Sequence, residues 1–171
     1  MNETIRSILD RRSIRAYEDK PLTEEQLTLL EQCAVASPTG MNAQSWSFSF
    51  VTDREKIAMV DSAVVAKLDN GTKQRVDSRG GTVFYNAPLV IFISGDKNSV
   101  WSEVDAGIAV ENLALCAHSL GLGSVIIGMC RCAFEGEEGK RLGEMLRFPE
   151  NNRISCFPEN GTGRILKRYV L

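Results

Sequence analysis

Three arginines, a serine and two amides are the groups in this chain whose types and spacing could do chemistry. The first four lie in Arg11-Arg12-Ser13-Ile14-Arg15-Ala16-Tyr17, just after a short helical stretch. Arginine supplies permanently charged, bidentate donors and serine adds a hydroxyl. Arg11, Arg12, Ser13 and Arg15 therefore form a compact anion site that suits a phosphate. A solvated basic turn accounts for the same residues about equally well. Asn42 and Gln44 stand two apart in Ser37-Pro38-Thr39-Gly40-Met41-Asn42-Ala43-Gln44-Ser45-Trp46. Together they can donate and accept, which suits the edge of a heterocycle. Ordinary amides in a polar turn are the plainer explanation.

Other chemistries are poorly served. Gly121-x-Gly123 follows a helix and precedes a strand, the reverse of the order a dinucleotide loop requires. No GxxxxGK[ST] sequence occurs. Cys130 and Cys132 make a CxC, but the chain has a single histidine, His118, so a four-ligand zinc set is not assembled. His118 has no recognisable nucleophile motif to serve. A phosphate-like site, an amide pair and a buried core favour a bound cofactor doing the reaction while the protein positions it.

The element that must position these groups is Val104 to Leu120. Val104, Ile108 and Leu115 lie near one face and Ala109, Leu113, Cys116 and Leu120 near another, so burial on more than one side is expected. Gly121 stands where a left-handed cap is wanted, and Ser124 to Gly128 reads as a buried strand. Further helices are expected at Glu3 to Asp10, from a Thr23–Gln26 capping box up to Pro38, at Asp53 to Lys67, and at Phe134 to Leu146. Strands are expected at Ser47 to Val51, Leu89 to Ile93 and Ile154 to Phe157. Leu68 to Gly81 reads as a polar loop or a mobile flap.

The 171 residues suffice for one domain, 1–171, with a real core. With 43% hydrophobic and 25% charged residues, the composition is ordinary for a globular protein. A net charge of -2 argues against nucleic acid or an anionic membrane as main partner. No apolar run reaches a membrane span, no signal-peptide core is present, and five scattered cysteines suit a reducing cytoplasm.

Four segments, RRSIRAY at 11–17, SPTGMNAQSW at 37–46, FYNAP at 84–88 and DAGIAVENLALCAHSLGLGS at 105–124, resemble the nitroreductase family of FMN-dependent NAD(P)H oxidoreductases, in that family's order. The resemblance implies an α+β fold, a mainly antiparallel sheet flanked by helices, in an intertwined homodimer with two FMN sites at its interface. It implies phosphate contacts from Arg11 and Ser13 within a motif that includes Arg12, and Arg15 near the flavin pyrimidine. It places Pro38, Asn42 and Gln44 on a flavin-contacting loop of the partner subunit, and the backbone of Ile126, Ile127 and Gly128 against the ring. Arg164 or Lys167 would supply a C-terminal phosphate contact, although Cys156-Phe157-Pro158 replaces the family's common glycine-tyrosine-proline. The implied activity is hydride transfer from NADH or NADPH to flavin, then to a small acceptor such as a nitroaromatic or quinone. A flavin sensor, a reductive dehalogenase and a flavin-degrading enzyme are the alternatives.

Overall fold

The computed structural model describes residues 1–155; Arg164, Lys167 and the end of the expected last strand lie outside them. Six α-helices and three strands are described, beginning with α1 (Glu3–Asp10) and α2 (Glu24–Val35). Asn2 caps α1 by accepting the Ile5 N–H, and the Thr23–Gln26 capping box opens α2. Strand β1 (Trp46–Val51) is followed by α3 (Arg54–Lys67), whose Asp53 cap takes the N–H groups of Glu55 and Lys56. The polar stretch after it is no open loop. It contains α4 (Asn70–Asp77), capped by Asp69 and held down by buried Val76.

Strand β2 (Val90–Asp96) leads to α5 (Ser102–Ser119), then α6 (Gly136–Met145) and β3 (Asn152–Ile154). The sheet order is β1-β2-β3, antiparallel throughout, with Trp46 opposite Gly95, Val51 opposite Val90 and Ser94 opposite Ile154. Period-two alternation sends Val90 and Phe92 into a core with α3, and Ile91 and Ile93 into a second core with α2 and α5. The α+β architecture is the expected one.

Two expectations need correction. Ser124 to Gly128 is extended but is not a ladder strand. A single parallel bridge joins Ser124 to Ser13, through Ile14 N–H to the Ser124 carbonyl at 2.9 Å. Its side chains nevertheless alternate as a strand's do, Val125 and Ile127 into one core and Ile126 into the other. The expected helix from Phe134 is also broken. A 3₁₀ stretch, Met129–Phe134, ends at extended Glu135, and Gly136 at φ 68° turns the chain into α6.

Helix α5 is apolar on two sides, but only one is covered. Ala109, Leu113 and Ala114 are fully buried, whereas Val104 is 48% exposed. The neighbouring α1 buries no residue, and its Ile5, Ile8 and Leu9 row is open. Leu122 N–H bonds the Ala117 carbonyl and Gly121 N–H that of His118, with Gly121 at φ 72°, a Schellman ending for α5. Among the described residues, no helix is long and apolar enough to cross a membrane.

The Gly136–Met145 turn of chain depends on a close approach at Gly139, where a Cβ would collide with the Phe134 backbone, its Cα at 2.7 Å. Gly139→Ala is expected to lose about 1–3 kcal/mol of stability through that overpacking, read as a lower urea midpoint. An unchanged midpoint would contradict the packing described.

Candidate functional site

Arg11 is the C-cap of α1, its N–H on the Ser7 carbonyl, and its half-buried side chain carries Nη1 into a position with no hydrogen-bond partner. A buried guanidinium donor without an acceptor is an expensive arrangement unless a ligand supplies one. Arg12 is used differently. Its Nη1 donates to the carbonyls of Leu9 (2.6 Å) and Arg11 (2.8 Å), satisfying the free end of α1. Ser13 is half-buried at the bridge, and the neighbouring Ser124 hydroxyl is buried without a partner. Arg15 is exposed, its Nη1 at 3.5 Å from the Ser13 carbonyl.

Ile126 and Ile127 are 9% and 7% exposed, so their side chains belong to the cores and their backbone is what remains to meet a ligand. Gly128 is exposed. Tyr17 donates to the Ile14 carbonyl at 2.8 Å. Burial pushes its phenol up to about 12; the Arg15 charge opposes the shift and Tyr85 adds to it.

The amide group lies elsewhere on the chain. Pro38, Asn42 and Gln44 are all exposed, around a 3₁₀ turn at Gly40–Asn42. Met41, Asn42 and Gln44 have φ of 57°, 54° and 49°, left-handed values that side chains with a Cβ rarely adopt. Such clustering is characteristic of functional segments. The loop is tied to α5 at two points, with Gly40 N–H on Asp105 Oδ1 at 2.9 Å and Asn112 Nδ2 on the Ser37 hydroxyl at 3.0 Å.

The bridge to Ser13 follows the other end of α5. From Asp105 to Leu120 the helix rises about 20 Å, at 1.5 Å per residue. The bridge brings the arginine segment to residues 124–128, whereas Pro38, Asn42 and Gln44 belong to the loop tied to Asp105 and Asn112. A cavity of about 490 Å³ lies between α2, the end of α5 and the start of β2, lined by Ile14, Tyr17, Leu22, Gln26, Leu89 and Leu122 among others. Of the described candidate residues only Ile127 lines it, together with Ser124 from the bridge.

FYNAP proves to be a turn. Tyr85 and Asn86 are left-handed (φ 54° and 56°) and Ala87 N–H closes on the Phe84 carbonyl at 3.0 Å. Asp61 steadies its entry by accepting the Val83 and Phe84 N–H groups, and burial raises that carboxyl's pKa against those bonds. Sequence reasoning missed Asp105 and Asn112. Their signal was present: two polar residues seven apart, on one face of a helix otherwise rich in apolar residues.

The profile of the Nitroreductase family matches residues 8–157. The NADPH-flavin oxidoreductase of Vibrio harveyi is 32% identical over 162 residues, 90% of this chain. The chain spans 63% of that enzyme's length. A Desulfitobacterium hafniense nitroreductase crystallised with bound FMN superposes with a TM-score of 0.86 at 31% identity, over 91% of this chain and 86% of that one. A Bacteroides fragilis nitroreductase, also with bound FMN, gives a TM-score of 0.80 at 26% identity over 100% of this chain and 95% of that one. The chain belongs to the nitroreductase family.

Proposed function

We propose that this chain is an FMN-dependent oxidoreductase that takes hydride from NADH or NADPH and passes electrons to a small acceptor such as a nitroaromatic or quinone. The observation that carries the reading is the buried, unpartnered Nη1 of Arg11, a residue two positions before the Ser13–Ser124 bridge. Arg11 and Ser13 would hold the FMN phosphate, and Arg15 would face the pyrimidine from the same segment. The buried side chains of Ile126 and Ile127 fix a stretch of backbone that would lie against the ring. FMN, when bound, supplies the hydride-accepting and electron-transferring chemistry. The chain's part is to bind, orient and tune. The positive charge of Arg15 favours electron-rich states of a neighbouring ring, so no side chain need act as acid or base.

The working unit in this proposal is a cytoplasmic homodimer. Ile5, Ile8, Leu9 and Val104 form an open apolar face on two adjoining helices, and self-association would cover it. The same association would bring the amide loop of a second copy to the arginine cluster.

Titrating FMN by quenching of its fluorescence tests the phosphate assignment. Arg11→Ala is expected to weaken binding about 10- to 100-fold, the loss of a charge-assisted bond; undiminished affinity would remove the carrying observation. With Arg15→Ala saturated in FMN, anaerobic bleaching by NADH or NADPH should slow while folding stability holds. Unchanged bleaching kinetics would count against the role of Arg15. Leu9→Glu should shift the protein from dimer to monomer in sedimentation and lower FMN affinity with it. A variant that stays dimeric would exclude the α1 face from the interface.

A further inference from the structure

The geometry points to Asp105 as the positioning residue that shapes the amide loop, and through it the presentation of Asn42 and Gln44 to the flavin. This inference rests on the FMN reading above. Asp105 is 1% exposed in the first turn of α5, and a carboxylate buried so deeply requires donors. It receives one from the Gly40 N–H, across 65 residues of sequence, and its Oδ2 is buried without a partner. The indole of Trp101, the N-cap residue that precedes α5, occupies the space where a Cβ on Gly40 would stand, with Cγ 2.8 Å from that position. Gly40 is therefore gripped by two residues at the start of α5, the N-cap Trp101 and Asp105 in the first turn.

Every local bond of the loop starts from the same place. Asn42 N–H bonds the Thr39 carbonyl, Ala43 N–H the Gly40 carbonyl and Gln44 N–H the Thr39 hydroxyl, each at 3.0 Å. Fixing Thr39 and Gly40 thus fixes the base of a segment whose three left-handed residues would otherwise relax toward commoner conformations. The carboxylate–amide bond is charge-assisted and partly buried, which strengthens its hold on that shape.

The test compares Asp105→Ala, Asp105→Asn and Val110→Ala, each titrated with FMN and each melted. Val110 is a buried core residue of the same helix and serves as control for loss of stability alone. Asp105→Ala is expected to weaken FMN binding by at least about tenfold, since the Gly40 N–H is orphaned. Asp105→Asn keeps an oxygen for that N–H and should stay within about threefold of the parent. Val110→Ala should lower the melting temperature while leaving affinity unchanged. Parental affinity in Asp105→Ala, or equal losses in Asp105→Asn and Asp105→Ala, overturns the inference. Hydrogen exchange at the Gly40 amide of the parent protein provides a readout that needs neither flavin nor a foldable variant. Slow exchange supports the clamp and rapid exchange overturns it. A parent protein that binds no FMN yet protects Gly40 would defeat the proposed function and leave the clamp standing.

Discussion

A rigid helix cannot bring its two ends to one point, and the arrangement of this protein follows from that constraint. Helix α5, 18 residues and about 27 Å long, carries the amide loop on its first turns and delivers the chain, through the Gly121 cap, to the bridge with the arginine segment. Its buried face is set into the sheet by small and branched residues, Ala109, Leu113 and Ala114, so the helix has little freedom to tilt or slide. The groups resembling flavin contacts are therefore tied to two different stretches, the loop held by Asp105 and Asn112 and the bridge that follows the Gly121 cap. In the proposed dimer a second chain would complete a site that needs both, and the open apolar face on α1 and α5 is where that association would bury surface.

The two halves are held by different physics. The arginine half depends on main-chain pairing: one bridge between Ser13 and Ser124 aligns Arg11 and Arg15 with a segment anchored on both sides of the sheet. The amide half depends on side chains reaching back from α5, Asp105 to Gly40 and Asn112 to Ser37, to hold a backbone that its own residues disfavour. Arg12, in the middle of the basic motif, is consumed in capping α1 and so stiffens the platform on which Arg11 stands. FYNAP serves in the same way, as a turn pinned by Asp61 that aims β2 into the core.

Much of this was legible in the residues. The Thr23–Gln26 capping box, the Asp53 cap and the Gly121 ending are local chemistry, and local chemistry decided them. The β-branched run Val125-Ile126-Ile127 marked a buried segment, and its residues do enter the two cores. It could not report that only one bridge would form, because ladder pairing depends on which strand stands beside it. The helix within Leu68 to Gly81 was missed because its sequence is polar and its sole buried apolar anchor is Val76. Asp105 was missed for a related reason: a polar residue on a buried helix face signals the need for a partner, but the partner is a backbone N–H 65 residues away that no local pattern names. The arginine and amide motifs were visible as chemistry, while the separate stretches that hold them required the fold.

The account stands on a site shared between two chains, and mixing two defective variants tests that directly. Arg11→Ala breaks the arginine half and Asn42→Ala with Gln44→Ala breaks the amide half. If the halves come from different chains, equal mixing followed by subunit exchange gives heterodimers with one intact site. FMN binding at parental affinity should then return to about one quarter of all sites. If each site is built within one chain, every chain in the mixture carries a defect. No recovery after demonstrated exchange would contradict the shared site.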